Sequence, residues 1–220
     1  MPQVAAVGAA LVEWGRRWGG APATDRPYVM PLLQLPLTYA IATSRCRLRA
    51  PTAEDIPYVF SATRHPGFND GMLWDPPETP AELEAPLAQS LKAWAKGEAY
   101  SFTIDRCPDH VFLGRISIRP AVAGVECWNI GFWLHPAHQG CGYMREAAGA
   151  VLQFGFEHLK AREIGACHAT WNQASEHVLR SIGMTFVEHV PHGFQKRGQW
   201  VAENRMAISR AGWSSRAAGA

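Results

Sequence analysis

The sequence predicts a mixed α+β (α/β mixed) domain built on one sheet of about seven strands with helices on both faces. Two observations support this prediction. From Cys46 onward, hydrophobic periods and turn residues give the order β-α-α-β-β-β-α-β-α-β-β. Short connections favour antiparallel neighbours, whereas the long helical connection between Val125 and Thr170 requires a parallel, right-handed crossover. Together they predict a mixed, mostly antiparallel sheet.

The first half of the domain alternates short strands with two amphipathic helices. Thr52 and Asp55 form a capping-box pattern that begins the first helix, and Gly97 is a typical end for the second. The predicted elements are a strand at Cys46–Arg49, a helix to about Arg64, a helix from Pro80 to Lys96, and strands at Tyr100–Asp105, Val111–Ile118 and Val125–Leu134.

The second half begins with a long helix that has a wide apolar stripe. Gly183 ends a second, short helix. The predicted elements are a helix at Met144–Lys160, a strand at Ile164–Thr170, a helix at Asn172–Ser181, and strands at Met184–Val190 and Trp200–Ile208. A glycine-containing hairpin loop, Pro191–Gln199, joins the last two strands.

The chain ends differ from this domain. Four prolines interrupt residues 19–37, and no period survives there. We therefore expect residues 1–40 to be an N-terminal extension that is partly disordered, residues 41–210 to be the folded domain, and residues 211–220 to be a C-terminal tail.

Composition excludes several functional classes. Hydrophobic residues make up 47% and charged residues 18%, as in ordinary globular proteins. A net charge of +2, with scattered basic residues, argues against nucleic acid as a partner. No apolar run reaches the roughly 18 residues that span a bilayer, which argues against a membrane. Five cysteines without a CxxC pair indicate neither a disulfide framework nor a metal site, and favour a cytoplasmic location.

The most informative segment is Gly131–Ala148, GFWLHPAHQGCGYMREAA. A strand ends there in a turn containing Gly140 and Gly142, and a helix follows at once. Glycines allow close approach of a ligand, and a helix N-terminus offers unpaired N–H groups, so the turn suits a pyrophosphate. Alone, it could equally be a tight connection. A P-loop is absent, and a Rossmann motif would need a small residue at Arg145.

This segment resembles the coenzyme A signature of the GNAT superfamily, in particular its RimJ/RimL-like branch. The later stretch NQASEHVLRSIGMTF is similar to a second motif of that branch, in the expected order. The resemblance covers roughly residues 44–210. It implies an N-acetyltransferase that moves the acetyl group of acetyl-CoA to a primary amine, on a protein N-terminus or a small molecule, by direct attack in a ternary complex. It implies a monomer or homodimer.

The resemblance also implies how acetyl-CoA is held. The two parallel central strands should splay apart between Trp133–His135 and Ala169–Trp171, so that pantetheine inserts there and contacts Asn172. A main-chain N–H near Trp133 or Leu134 would bind the oxyanion. The family's pyrophosphate loop falls on His138, Gln139, Gly140, Cys141, Gly142 and Tyr143. Two positions depart from the family pattern: Ala137 replaces a Gln or Arg, and Cys141 replaces a residue that is often basic.

Catalytic residues are less constrained. Many relatives carry a tyrosine that acts as the general acid, and Leu179 occupies that position here. The RimJ/RimL-like branch instead has a serine at the position of Ser175. We expect Ser175 to protonate the thiolate or to hydrogen-bond it. A helix cap is the alternative for Ser175. Glu126, His135 and Glu188 are candidate bases, each with an ordinary structural alternative. Asn129 replaces a residue that is often acidic, which weakens the case for a simple carboxylate base.

The acceptor is the least defined part of the prediction. Phe68 and Trp74, in the loop Gly67–Pro77, are expected to line the acceptor cleft. Lys196 and Arg197 would weakly disfavour cationic acceptors. An alternative function is a catalytically impaired coenzyme A-binding module that regulates or binds a partner. No metal is expected.

Overall fold

The computed structural model describes residues 33–121 and 126–217. The strands are β1 Ala40–Ala42, β2 Cys46–Arg49, β3 Tyr100–Arg106, β4 Phe112–Pro120, β5 Cys127–Leu134, β6 Glu163–Ala169, β7 Thr185–Lys196 and β8 Gln199–Ser209. The helices are α1 Ile56–Thr63, α2 Glu84–Lys96, α3 Tyr143–Glu157, α4 Gln173–Ser181 and α5 Arg210–Ala217. One eight-stranded sheet has the order β1-β2-β3-β4-β5-β6-β8-β7, and its parallel pair is β5–β6.

The predicted mixed sheet and its parallel crossover are confirmed. The sheet has one strand more than expected, because β1 is a three-residue edge strand too short to show a period. The predicted start of β5, Val125, lies outside the described residues. The expected loop Pro191–Gln199 is wrong in extent, since β7 continues to Lys196 and only Arg197 and Gly198 turn the chain into β8.

Local signals in the sequence form as predicted. Asp55 accepts a hydrogen bond from the Thr52 main-chain N at 3.0 Å, which completes the capping box before α1. Gly97 takes a φ of +73° and donates to the Trp94 carbonyl at 2.9 Å, which ends α2. Both devices act within a few residues, so the sequence alone is enough to specify them.

One face of the sheet carries the hydrophobic core. Trp94 of α2 lies edge-on to Phe102, with ring centroids 4.9 Å apart, and Phe154 of α3 lies 5.4 Å from Tyr100. All of these rings are buried. Helices α2 and α3 therefore cover this face, and burial of their apolar surface is the main stabilising contribution.

Helix α1 lies on the opposite face. The buried Asp55 just before it binds Arg49 at 2.7 Å and Thr103 at 2.6 Å. Burial raises the pKa of Asp55, but hydrogen bonds from Arg49, Thr103 and Thr52 outweigh it, so the pKa is lowered. Further along this face Gly131 is exposed. Helices thus lie on both faces, and α1 leaves part of its own face open to solvent.

The two ends of the described chain pack against the domain. Trp94 Nε1 donates to the Leu35 carbonyl at 3.1 Å, and the Tyr100 hydroxyl donates to the Leu33 carbonyl. The rest of the predicted extension, residues 1–32, lies outside the described residues. Where a tail was expected, α5 stacks Trp213 on Phe156 at 5.1 Å. Within residues 33–121 and 126–217, no helix has the length and apolar character needed to cross a membrane.

Candidate active site

The parallel strands β5 and β6 separate after three paired residues. Cys127, Trp128 and Asn129 pair with Glu163, Ile164 and Gly165, and no pairs follow. Both strands nevertheless stay in the sheet, since β5 pairs with β4 to Leu134 and β6 pairs with β8 to Ala169. The result is a V-shaped gap that opens from Ile130 towards the carboxyl ends of both strands. The expected splay therefore begins three residues before Trp133.

Main-chain groups of β5 face this gap at alternate residues. The His135 N–H donates to Leu113 of β4 at 2.8 Å. Because successive residues turn to opposite sides of a strand, Trp133 also faces β4, while Phe132 and Leu134 face the gap. The prediction that the Trp133 N–H binds the oxyanion is therefore wrong. The Leu134 N–H points into the gap as required. The Phe132 N–H also points into the gap, and the sequence did not indicate this donor.

The glycine loop, residues 138–143, leads from β5 into α3. Gly140 and Gly142 have φ angles of +78° and +79°, and no atom lies within 4 Å of a Cβ placed on Gly140. Gly142 is the N-cap of α3. Among the described residues, the main-chain N–H groups of residues 140–145 find no acceptor. An uninterrupted run of free donors at a helix N-terminus is an anion-binding arrangement.

Side chains hold the glycine loop in place without filling it. Gln139 Nε2 donates to the Leu134 carbonyl at 3.2 Å, which ties the loop to the end of β5. Arg45 Nη1 donates to the Cys141 carbonyl at 3.0 Å, and the Arg45 guanidinium lies 4.9 Å from the Tyr143 ring centre. The side chains of Gln139 and Arg45 thus support the loop and leave its N–H groups accessible.

Glu146 in the first turn of α3 anchors this support. It accepts hydrogen bonds from Thr43 Oγ1 at 2.6 Å, Ser44 Oγ at 3.0 Å, the Arg45 main-chain N at 2.7 Å and Arg45 Nε at 2.7 Å. Burial raises the pKa of Glu146, but the bonds from Thr43, Arg45 and Ser44 prevail and lower the pKa to about 2. The sequence did not indicate this anchor.

A shallow cavity of about 390 Å³ lies beside the loop at the start of α3. Its lining residues are Arg45, Gly142, Arg145, Glu146, Gly149 and Ala150. Arg145 is exposed there and has no ion-pair partner among residues 33–121 and 126–217. A free cation and the positive end of the α3 dipole therefore meet at one place.

Asn172 caps α4 beside the end of β6. Its Oδ1 accepts a hydrogen bond from the Ser175 main-chain N at 3.1 Å. The cap engages only the main chain of Ser175, so the hydroxyl remains available, and the residue is partly exposed. Leu179, one turn later, is fully buried in the core and cannot take part in chemistry.

His168 adds an unpaired polar atom on β6. Its Nδ1 lies 2.9 Å from the Ala169 carbonyl, and its Nε2 is buried without a partner among the described residues. A carbonyl oxygen only accepts, so Nδ1 donates to it, and in the neutral tautomer Nε2 is then an acceptor. A buried acceptor needs a donor, and the amide N–H groups of a pantetheine arm are donors of the right kind.

The predicted acceptor aromatics lie together at the open end of the gap. Phe68 is perpendicular to Trp133 at 5.3 Å and edge-on to Trp74 at 6.4 Å. A Cβ on Gly71 would lie 3.2 Å from the Trp171 ring, so the loop Gly67–Pro77 reaches over the start of α4.

The expectation for Lys196 is corrected by its contacts. Its Nζ donates to the Trp74 carbonyl at 2.7 Å and pairs with Asp75 at 2.8 Å, and its side chain is 9% exposed. The Lys196 charge is therefore compensated within the chain. The Lys196 side chain joins the turn between β7 and β8 to the loop Gly67–Pro77, and it does not repel cationic acceptors.

The candidate bases are placed far apart. Glu126 precedes β5, eight residues before Leu134, and at about 3.3 Å per residue it lies roughly 26 Å from the open end of the gap. The structure thus does not bring Glu126 together with Ser175. His135 Nδ1 accepts from the Ala137 N–H at 3.2 Å, and its Nε2 lies 3.4 Å from Ser61 Oγ. Both ring nitrogens of His135 therefore already have a contact within the chain.

Burial, together with the neighbouring His65 and His138, lowers the pKa of His135. Glu188 lies on β7 and forms a 2.8 Å ion pair with Arg205 of β8. Arg205 also contacts Glu203 at 3.4 Å.

Within residues 33–121 and 126–217 there is no group of three or more His, Cys, Asp or Glu side chains suited to a metal.

The family that matches residues 45–185 is described as "Acetyltransferase (GNAT) domain". The chain belongs to the GNAT acetyltransferases. The gap between parallel strands and the glycine loop are thus parts of a GNAT domain.

Two curated relatives come from Bacillus subtilis (strain 168). The uncharacterized N-acetyltransferase YnaD is 31% identical over 91 residues, which cover 41% of this GNAT chain and 54% of YnaD. The probable N-acetyltransferase YjcK is 34% identical over 114 residues, which cover 51% of this chain and 63% of YjcK. The chain therefore spans between about half and two thirds of the length of these relatives.

Solved structures share the fold at low identity. The ribosomal L7/L12 alpha-N-protein acetyltransferase RimL in complex with coenzyme A aligns with a TM-score of 0.69 and 18% identity, over 78% of this GNAT chain and 98% of that one. A spermidine N-acetyltransferase from Vibrio cholerae, in complex with CoA and spermine, aligns with a TM-score of 0.68 and 19% identity, over 78% and 99%. At these identities the likeness establishes the fold alone.

Proposed function

We propose that this GNAT domain transfers the acetyl group of acetyl-CoA to a primary amine by direct attack in a ternary complex. The observation that carries the proposal is the run of free main-chain N–H groups at residues 140–145, next to a gap between parallel strands. The diphosphate of the cosubstrate would bind those donors, and Arg145 would add a positive charge beside them. The sequence motifs support a RimJ/RimL-like assignment, and the five free cysteines support a cytoplasmic location.

The gap provides the place for the thioester. The N–H groups of Phe132 and Leu134 point into it and would stabilise negative charge on the carbonyl oxygen. His168 Nε2 and Asn172 would hold the pantetheine arm on either side. Each of these groups lies on a strand or at a helix end, so the site is organised before the substrates bind.

Proton transfers complete the reaction. As the nitrogen–carbon bond forms and the carbon–sulfur bond breaks, Ser175 would donate a proton to the leaving thiolate and recover one from solvent. The proton of the attacking amine would leave towards the carboxylates on β7 and β8. Glu188 and Glu203 are preferred as the acceptors of that proton because the strand register places both on the face of the sheet that carries Cys167, whereas Glu126 precedes β5 at the end away from the open gap.

The test is a panel of primary amines incubated with acetyl-CoA, with free thiol measured and products identified by mass spectrometry. Transfer requires one acetylated amine for each thiol released. Thermal stabilisation by CoA without product for any amine would favour the impaired, CoA-binding alternative instead. Absence of both stabilisation and product would contradict the proposed function.

A further inference from the structure

One peptide unit of the glycine loop can take two orientations. The Cys141–Gly142 peptide lies just before α3, and Gly142 has a φ of +79° and a ψ of +3°. These are the angles of the third residue of a type II turn, a conformation that favours glycine. Rotation of this peptide by about 180° would give a type I turn, in which φ at the third residue is about −90°. Glycine accepts both values, so residue 142 alone does not choose between them.

The orientation of this peptide determines which group faces an anion. A trans peptide is planar, so its C=O and N–H groups point in opposite directions. The Cys141 carbonyl accepts a hydrogen bond from Arg45, so the Gly142 N–H points away from Arg45 and has no acceptor among the described residues. It precedes the free N–H groups of residues 143–145 at the α3 N-terminus. In the rotated peptide, a carbonyl oxygen would replace this donor and would repel an anion.

Arg45 holds the peptide in the orientation that the structure shows. Its Nη1 donates to the Cys141 carbonyl at 3.0 Å, and its Nη2 lies 3.5 Å from a Cβ placed on Gly142. The main-chain hydrogen bonds of α3 begin one residue later, with the Glu146 N–H donating to the Gly142 carbonyl at 3.3 Å. Among residues 33–121 and 126–217, Arg45 is therefore the only donor to the Cys141 carbonyl.

Glu146 fixes the direction of the Arg45 guanidinium. Its Oε2 accepts from Arg45 Nε at 2.7 Å, and its Oε1 accepts from the Arg45 main-chain N at 2.7 Å. The side chain of Arg45 is 48% exposed, so packing alone does not restrict its rotamers. One carboxylate thus binds both ends of the arginine and leaves Nη1 directed at the Cys141 carbonyl. The planar fork of a guanidinium can make both contacts at once, whereas a lysine ammonium is a single point charge.

We infer that Arg45 is a positioning residue that keeps the Gly142 N–H, and not the Cys141 carbonyl, towards the diphosphate of the cosubstrate. This inference rests on the proposed acetyltransferase function. The alternative role for Arg45 is direct contact with the diphosphate as a cation. Glu146 distinguishes the two roles, because its carboxylate supports positioning but competes with phosphate oxygens for the guanidinium.

The experiment measures the Kd for CoA by calorimetry and determines the crystal structures of the free variants. Arg45→Gln and Glu146→Gln should each raise Kd about tenfold, and the double variant should lose no more than about twofold beyond the weaker single variant, because both act through one peptide. The structure of Arg45→Gln should show the Cys141–Gly142 peptide rotated, with α3 intact. Arg180→Gln removes an exposed arginine that pairs with Glu176 at 2.8 Å on α4. It is the matched control and should bind CoA like the wild type.

The outcomes separate the two proposals. A φ at Gly142 that stays near +79° in Arg45→Gln, or an unchanged Kd in that variant, would overturn the positioning role. A tighter or unchanged Kd in Glu146→Gln would assign direct phosphate contact to Arg45 and overturn it as well, as would an equal loss in Arg180→Gln. Each of these results leaves the acetyltransferase function standing. Failure of the wild type to bind CoA would remove the proposed function itself.

Discussion

Replacing Gly140 by alanine probes the glycine loop at its most open position. Gly140 has a φ of +78°, and no atom lies within 4 Å of a Cβ placed there. Alanine therefore meets no clash in the free protein, but it must hold a left-handed conformation at a cost of about 1–2 kcal/mol. For a chain of this size, each kcal/mol lowers Tm by roughly 2–4 °C. We expect a fall of about 2–8 °C.

Gly198 is the matched control for this variant. It has the same φ of +78° and the same open surroundings, but it lies in the turn between β7 and β8. Gly198→Ala should lose similar stability and bind CoA like the wild type. Gly140→Ala adds a methyl group where the diphosphate would approach, so its Kd for CoA in calorimetry should rise at least tenfold, about 1.4 kcal/mol. Equal affinities of the two variants would refute this placement of the diphosphate.

Two further predictions concern the support and the chemistry of the site. Ser175→Ala should lower kcat at least tenfold and leave KM for acetyl-CoA within about twofold, because the Asn172 cap uses only the main chain; an unchanged kcat would remove Ser175 from the mechanism. Glu146→Gln should cost about 2 kcal/mol of unfolding free energy at pH 7, since charge-assisted bonds are lost. The pKa of Glu146 is lowered to about 2, so this contribution is complete above the ordinary value of 4.5 and disappears as pH falls through 2. Urea titrations of wild type and variant should thus converge at low pH, and a constant difference between them would contradict the anchor.

Much of the fold follows from short-range signals. The Thr52–Asp55 capping box and Gly97 act within one helical turn, and the long crossover helix fixes β5 and β6 as parallel. Strand β1 escaped prediction because three residues show no period. The gap was expected from the family resemblance, but its starting point depends on the register between strands, which spacing in the sequence does not reveal.

The candidate site was predictable only where function resides in contiguous residues. The glycine loop and Asn172 fall in local motifs. The Glu146 anchor joins groups about 100 residues apart in sequence, and no local pattern indicates it. Arg119 and Glu203 lie on β4 and β8, the two strands that flank the parallel pair, and this placement depends on the sheet order. Glu126 was proposed as a base because the predicted strand leads to the gap, but the sequence does not show how far along that strand the gap extends.

The most direct measurement is a titration of ¹⁵N-labelled protein with coenzyme A, followed by amide chemical shifts. The proposed site predicts the largest changes at residues 140–145, where free N–H groups receive the diphosphate, and clear changes at Phe132 and Leu134 in the gap. Gly198 should not respond. Shifts that leave residues 140–145 unaffected, or no shifts at saturating coenzyme A, would contradict the central claim that these main-chain donors hold the cosubstrate.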